Sequence, residues 1–265
     1  MLILFATCYL LLCLCAGIWQ RRLIYFPTKI PADVVEQVAA DHGFVPWRNP
    51  AGQIIGWKIP ADGTATGSVL IMHGNGGSAI GRDYIAQPIH LAGSMDVFVL
   101  EYPGYGARTG SPSKTTMVAA AEEAFQLMPA GRPKYLVSES IGTGVACELA
   151  KAHADEVAGV ALLVPYDNLA SVAQRRFWFL PSYFFLLDRF NPEACLKSYQ
   201  GPVKFAVAGA DEIIGAVPGL RLADSYLGPK DLQVFPGAHH NDVSGQPPGW
   251  WQEVFRFWKA TQNPR

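Results

Sequence analysis

From Met1 to Trp19 every position but Thr7 is apolar or small, and Gln20-Arg21-Arg22 ends the run. Wound as a helix, the run reaches roughly 28 Å, close to the ~30 Å hydrocarbon core of a bilayer. Two readings compete, an uncleaved membrane anchor and a cleaved signal peptide. Cys15 and Gly17 are small enough to flank a cleavage site, but no positively charged region precedes the apolar stretch. The anchor is preferred, giving a membrane segment over residues 1–20 and a folded domain over residues 21–265. Arg21, Arg22 and Lys29 follow the span, and the positive-inside rule then places the domain on the cytoplasmic face.

After Leu23-Ile-Tyr-Phe26, Pro27 and a polar stretch, short strand-like runs at 44–47 and 54–59 are bounded by turn residues, predicting antiparallel strands. From Ser68 the rhythm changes. Apolar runs at 69–72, 97–100, 135–138, 157–164, 203–208 and 232–235 read as buried strands. Stretches of helical spacing at 82–91, 115–128, 141–152, 220–227 and 250–261 separate most of them. That alternation predicts an α/β fold, a mostly parallel sheet covered by helices on both faces. The interval 165–200 breaks the rhythm with a dense aromatic run, Arg175-Arg-Phe-Trp-Phe-Leu-Pro-Ser-Tyr-Phe-Phe-Leu-Leu187, and reads as a small inserted cap. Packing on the sheet, walling an acyl pocket and dipping into a bilayer are all open to such a segment.

Composition narrows the function classes. Half the residues are apolar and 16% are charged, with a net charge of −1, so no basic field suggests nucleic acid. The five cysteines lack metal-ligand spacing; three fall in the N-terminal run, and Cys147 and Cys195 are either free thiols or a disulfide.

Chemistry enters where periods change. In Tyr135-Leu-Val-Ser138-Glu-Ser140-Ile-Gly142-Thr-Gly144, a strand gives way to a helix at Ser140, the arrangement of a nucleophile elbow. The usual pattern is G-x-S-x-G, and Ser138 stands in the place of the first glycine. Working groups of parallel sheets gather at the carboxyl ends of strands. Those ends carry His73-Gly-Asn75, Glu101, Ser140, Asp167, Asp211 and His239-His240. A serine hydroxyl needs an imidazole to take its proton and a carboxylate to fix that imidazole. The order serine, aspartate, histidine supplies all three. Backbone N–H groups of Ile141 and Asn75 are the natural oxyanion donors, with Gly76 and Gly77 allowing close approach.

Together, His73-Gly-Asn-Gly-Gly77, Glu101-Tyr-Pro-Gly-Tyr-Gly106, Ser140-Ile-Gly142, Asp188-Arg-Phe190, Asp211 and Gly237-Ala-His-His-Asn-Asp242 resemble the α/β-hydrolase superfamily. They are most similar to its membrane-tethered branch, which includes protein depalmitoylases and bacterial serine hydrolases. The resemblance implies the α/β-hydrolase fold and a serine hydrolase of carboxylic esters, thioesters or amides, without metal or cofactor. It implies Ser140 as nucleophile, Asp211 as acid and His240, before Asn-Asp, as base. An acyl or other small-molecule substrate and a membrane contact through the N-terminal segment are the expected partners. Glu212 is the alternative acid, and Asp188 is expected in a structural ion pair beside Arg189. A peptidase of the prolyl-oligopeptidase or aminopeptidase type and a non-catalytic scaffold are the rival functions.

Overall fold

The structure, a computed structural model, describes residues 1–262. Helix α1 (Leu2–Ile24) is the one helix among them long and apolar enough to cross a membrane, and of its residues only Gln20 is buried. It runs past Arg21 and Arg22, because arginine is a good helix former and sits favourably at a helix C-terminus. The chain then extends through β1 (Phe26–Pro27) into a short helix α2 (Val35–Asp41), within the stretch expected to be polar and without an element of its own.

Strands β2 (Val45–Arg48) and β3 (Ile54–Ile59) form an antiparallel edge. Beyond them come β4 (Gly67–Met72), the two-residue β5 (Gly76–Gly77), α3 (Asp83–Ala92), β6 (Met95–Leu100), α4 (Lys114–Leu127), β7 (Lys134–Glu139), α5 (Gly142–Ala152) and β8 (Val157–Leu163). Three short helices, α6 (Leu169–Arg176), α7 (Ser182–Phe185) and α8 (Pro192–Leu196), occupy the interval before β9 (Val203–Ala208). The chain closes with α9 (Ala216–Ser225), β10 (Lys230–Phe235) and α10 (Pro248–Gln262). Helix α9 begins four residues before its expected start, since proline is tolerated in a first helical turn and Pro218 lies there.

The main sheet runs β10-β9-β8-β7-β4-β6-β3-β2, with β3 antiparallel to both of its neighbours, β6 and β2, and every other pairing parallel. Alternate side chains feed two cores. Leu70 and Met72 of β4 pack with α4 and α5, whereas Val69 and Ile71 pack with α3 and α10. Cys147 and Cys195 are free and buried in the first of these cores. Burial pushes the Cys147 thiol well above its ordinary pKa and the Cys195 thiol up to about 12, so both stay protonated.

The order reverses at β4, which lies between β7 and β6, so the loops after β4 and β7 open side by side. Close approach there depends on glycine. A Cβ on Gly142 would collide with the Met72 carbonyl, which is backbone and cannot swing aside. Gly142→Ala should therefore cost about 1–3 kcal/mol, read as a thermal midpoint lower by roughly 2–4 °C per kcal/mol. An unchanged midpoint would mean that α5 does not sit this tightly on β4.

Candidate active site

Ser140 stands at the turn from β7 to α5 with a φ of 50°, and Val164, just past β8, has a φ of 45°. These are the non-glycine residues with positive φ among the described residues, and they lie at the ends of adjacent strands. Left-handed backbone is costly for residues with a Cβ, and such strain gathers at functional sites. The turn is held by the Ser140 N–H, which donates to the Leu163 carbonyl at 3.0 Å. Small neighbours permit it: Gly142 faces Met72, and Gly144 faces the Phe190 ring. Ser138, in place of the usual glycine, is fully buried with no hydrogen-bond partner for its hydroxyl.

Loops after β9 and β10 bring Asp211 and His240 to this serine. The Ser140 hydroxyl lies 3.0 Å from His240 Nε2, and His240 Nδ1 lies 2.7 Å from Asp211 Oδ2. A carboxylate only accepts, so Nδ1 carries the proton and Nε2 is left to accept from Ser140. Asp211 Oδ1 in turn accepts from the N–H groups of Ile213 and Ile214, each at 2.9 Å, and Gly215 at 3.3 Å. Burial by itself would raise the Asp211 carboxyl. The bond from His240 and those backbone donors outweigh it and hold the group below the ordinary aspartate range. The His240 and Asp211 side chains are almost wholly buried, while Ser140 is partly open. Glu212, the other candidate acid, is exposed and meets the exposed His239 at 3.2 Å.

The expected oxyanion loop follows β4. Its backbone is braced on several sides. The Tyr102 hydroxyl donates to the His73 carbonyl and the Tyr105 hydroxyl to Asn75 Oδ1, each at 3.2 Å. His73 Nδ1 donates to the Gly74 carbonyl at 2.7 Å. Strand β1 pairs in parallel with β5, and the Phe26 N–H donates to Asn75 Oδ1 at 3.1 Å. The Tyr-Pro-Gly-Tyr-Gly run and the segment after α1 thus share one task, fixing the loop that carries the Asn75 N–H. Glu101, at the end of β6, accepts from the Ala79 N–H at 3.1 Å.

Glu139 was not singled out in the sequence, yet it joins the elbow to this loop. Its carboxylate accepts from the Gly74 N–H at 2.9 Å, Arg82 Nε at 2.8 Å and the Tyr84 hydroxyl at 2.6 Å. The one available signal was a lone charge at the end of an apolar strand, next to the serine. Burial pushes the carboxyl up, but the Arg82 charge, the Tyr84 hydroxyl and the Gly74 N–H prevail and hold it below the ordinary glutamate range. Ionised Glu139 therefore adds stability above the unfolded-state pKa of ~4.3, and that stability is lost as pH falls through its lower folded value. Glu139→Gln should cost about 3–5 kcal/mol at neutral pH by leaving Arg82 unpaired. Between neutral pH and pH ~3 the gap between the variant and native midpoints should narrow. Parallel curves would mean that Glu139 is not ionised in the fold.

Asp188 makes a structural ion pair, its partner being Arg21 at 2.9 Å, and also accepts from the Lys114 N–H at 3.0 Å. Arg189 lies over the Tyr183 ring, 5.2 Å from its centroid. Asp188 therefore ties the cap to α1 and α4 and takes no part in the serine–histidine relay.

Residues 67–193 match the family model described as the alpha/beta hydrolase fold. Uncharacterized protein Rv2307c of Mycobacterium tuberculosis is 32% identical over 235 residues, which cover 85% of this chain and 82% of that one. Lysophosphatidylserine lipase ABHD12 of Xenopus tropicalis is 32% identical over 110 residues, 40% of this chain and 28% of the relative. Among solved structures, the Pyrococcus furiosus esterase Pf2001 superposes with a TM-score of 0.65 at 15% identity, covering 90% of this chain and all of that one.

Proposed function

Because this chain belongs to the α/β-hydrolase superfamily, we propose that it is a membrane-anchored serine hydrolase that cleaves carboxylic esters or thioesters through an acyl-enzyme on Ser140. The observation that carries this reading is the hydrogen-bonded relay from Ser140 through His240 to Asp211, set on a strained turn. His240 Nε2 takes the hydroxyl proton as Ser140 Oγ attacks the carbonyl carbon. The resulting oxyanion accepts from the N–H groups of Ile141 and Asn75. As the carbonyl re-forms, the bond to the leaving oxygen or sulfur breaks and His240 returns its proton to that atom. Water, deprotonated by the same imidazole, then releases the acid and restores the serine. Asp211 stabilises the imidazolium in both halves.

An acyl substrate of lipid character is supported by the apolar α1 and by the similarity to a lysophosphatidylserine lipase. The test is a fluorophosphonate probe on the purified native chain, followed by turnover of p-nitrophenyl and thioesters of graded acyl length beside aminoacyl anilides. Labelling with ester turnover is expected. A chain that neither labels nor turns over any ester is no serine esterase, and preference for the anilides would make it a peptidase.

A further inference from the structure

The cap carries features that the proposed chemistry does not use. From Phe177 to Leu187 no residue is charged, and Trp178, Phe179, Tyr183, Phe184, Phe185 and Leu187 are exposed, Trp178 at 79% and Phe184 at 77%. Contiguous exposed apolar surface of this kind marks an interaction site.

Most of the polar backbone beneath these side chains is hydrogen-bonded within the protein. Gln174 Nε2 donates to the carbonyls of Leu180 at 2.9 Å and Trp178 at 3.4 Å, while its Oε1 accepts from the Tyr183 N–H at 3.1 Å. Helix α1 supplies three more of these partners. The Tyr9 hydroxyl donates to the Phe179 carbonyl at 3.0 Å. Gln20 Nε2 donates to the Phe185 carbonyl at 3.2 Å, and its Oε1 accepts from the Leu187 N–H at 2.7 Å. The N–H groups of Phe177, Leu180, Ser182, Phe184 and Leu186 find carbonyls within the cap itself. A loop in water leaves such groups to the solvent, whereas hydrocarbon requires that irregular backbone be satisfied internally.

The contacts with α1 also set a depth. Tyr9 precedes Arg21 by a little over three turns, ~18 Å along the helix, and half a hydrocarbon core is ~15 Å. The Arg21–Asp188 pair lies at the base of the cap and Phe179 beside Tyr9 at its tip. With Arg21 at headgroup level, the tip lies among acyl chains. Exposed Arg22, Arg175, Arg176 and Arg189 flank the apolar run, where long stems let guanidinium groups reach lipid phosphates.

We propose that residues 177–187 form a second membrane element, an aromatic hairpin seated beside α1 in the acyl-chain layer of one leaflet, with phospholipid as its partner. This rests on α1 being embedded in the bilayer. The test reconstitutes the full chain into phosphatidylcholine–phosphatidylglycerol vesicles brominated either near the headgroups or near mid-chain, since bromine quenches indole on contact. Subtracting the emission of Trp178→Phe from native isolates Trp178, and Trp19→Phe isolates Trp19 on α1. Both are conservative changes at exposed positions. Bromine should quench both contributions to a similar extent, Trp178 most strongly from mid-chain, and aqueous iodide should quench neither. Trp19 quenched by bromine with Trp178 quenched only by iodide overturns the hairpin and spares α1. Both tryptophans open to iodide and untouched by bromine overturn the two readings together.

Discussion

Ser140→Ala should lower kcat on p-nitrophenyl esters by about 10⁵–10⁶-fold and abolish fluorophosphonate labelling. No other group on the relay can replace the hydroxyl. Ser138 is two positions back in β7, fully buried, and its hydroxyl meets no base. The fold should not suffer, because alanine removes only one atom from a partly open position, with a stability change within about 0.5–1 kcal/mol. A folded variant that still labels would move the nucleophile elsewhere. Native-like turnover without labelling would exclude an acyl-enzyme altogether.

Asp211→Asn should lower kcat by about 10⁴-fold at neutral pH. An amide can keep its oxygen towards the N–H groups of Ile213 and Ile214, which leaves its NH₂ facing His240 Nδ1. Nδ1 must then accept, the imidazole proton moves to Nε2, and the ring presents a donor to Ser140 where an acceptor is required. Glu212→Gln should change kcat/KM by no more than about twofold, as befits an exposed side chain. An inactive Glu212→Gln beside an active Asp211→Asn would reverse the choice of acid.

Much of this was legible in the residues because two periods are easy to separate. The unbroken apolar run Val69-Leu-Ile-Met72 and the four-residue spacing of Ile141, Val145 and Leu149 announce a buried strand and a helix before any chemistry is considered. Ser140, Asp211 and His240 stood out because strand ends concentrate working groups, and the hydrogen bonds between them follow from sheet topology. What stayed hidden depends on contacts between distant residues. Helix α2 is only seven residues long, about two turns at 3.6 residues per turn, too short for a period to register. The start of α9 was masked by a proline that ends helices elsewhere and opens this one. Glu139 looked like a charge at a strand end, and only folding brings Gly74, Arg82 and Tyr84 onto its carboxylate. Asp188 was expected in an ion pair, but its partner, Arg21 of α1, lies 167 residues away along the chain and is brought in only by the fold.

The passage from α1 to the catalytic loop contains no spacer. Helix α1 ends at Ile24, Tyr25 is already buried in the core, and Phe26 and Pro27 are paired with Gly76 and Gly77. With α1 in a bilayer, the domain cannot tumble on a tether, and its collisions with substrate occur in two dimensions. Its effective KM for a membrane-resident ester is then a mole fraction of the lipid surface, not a bulk concentration. Diluting such vesicles at constant composition should leave the rate per enzyme unchanged, whereas diluting the ester with inert lipid should slow it.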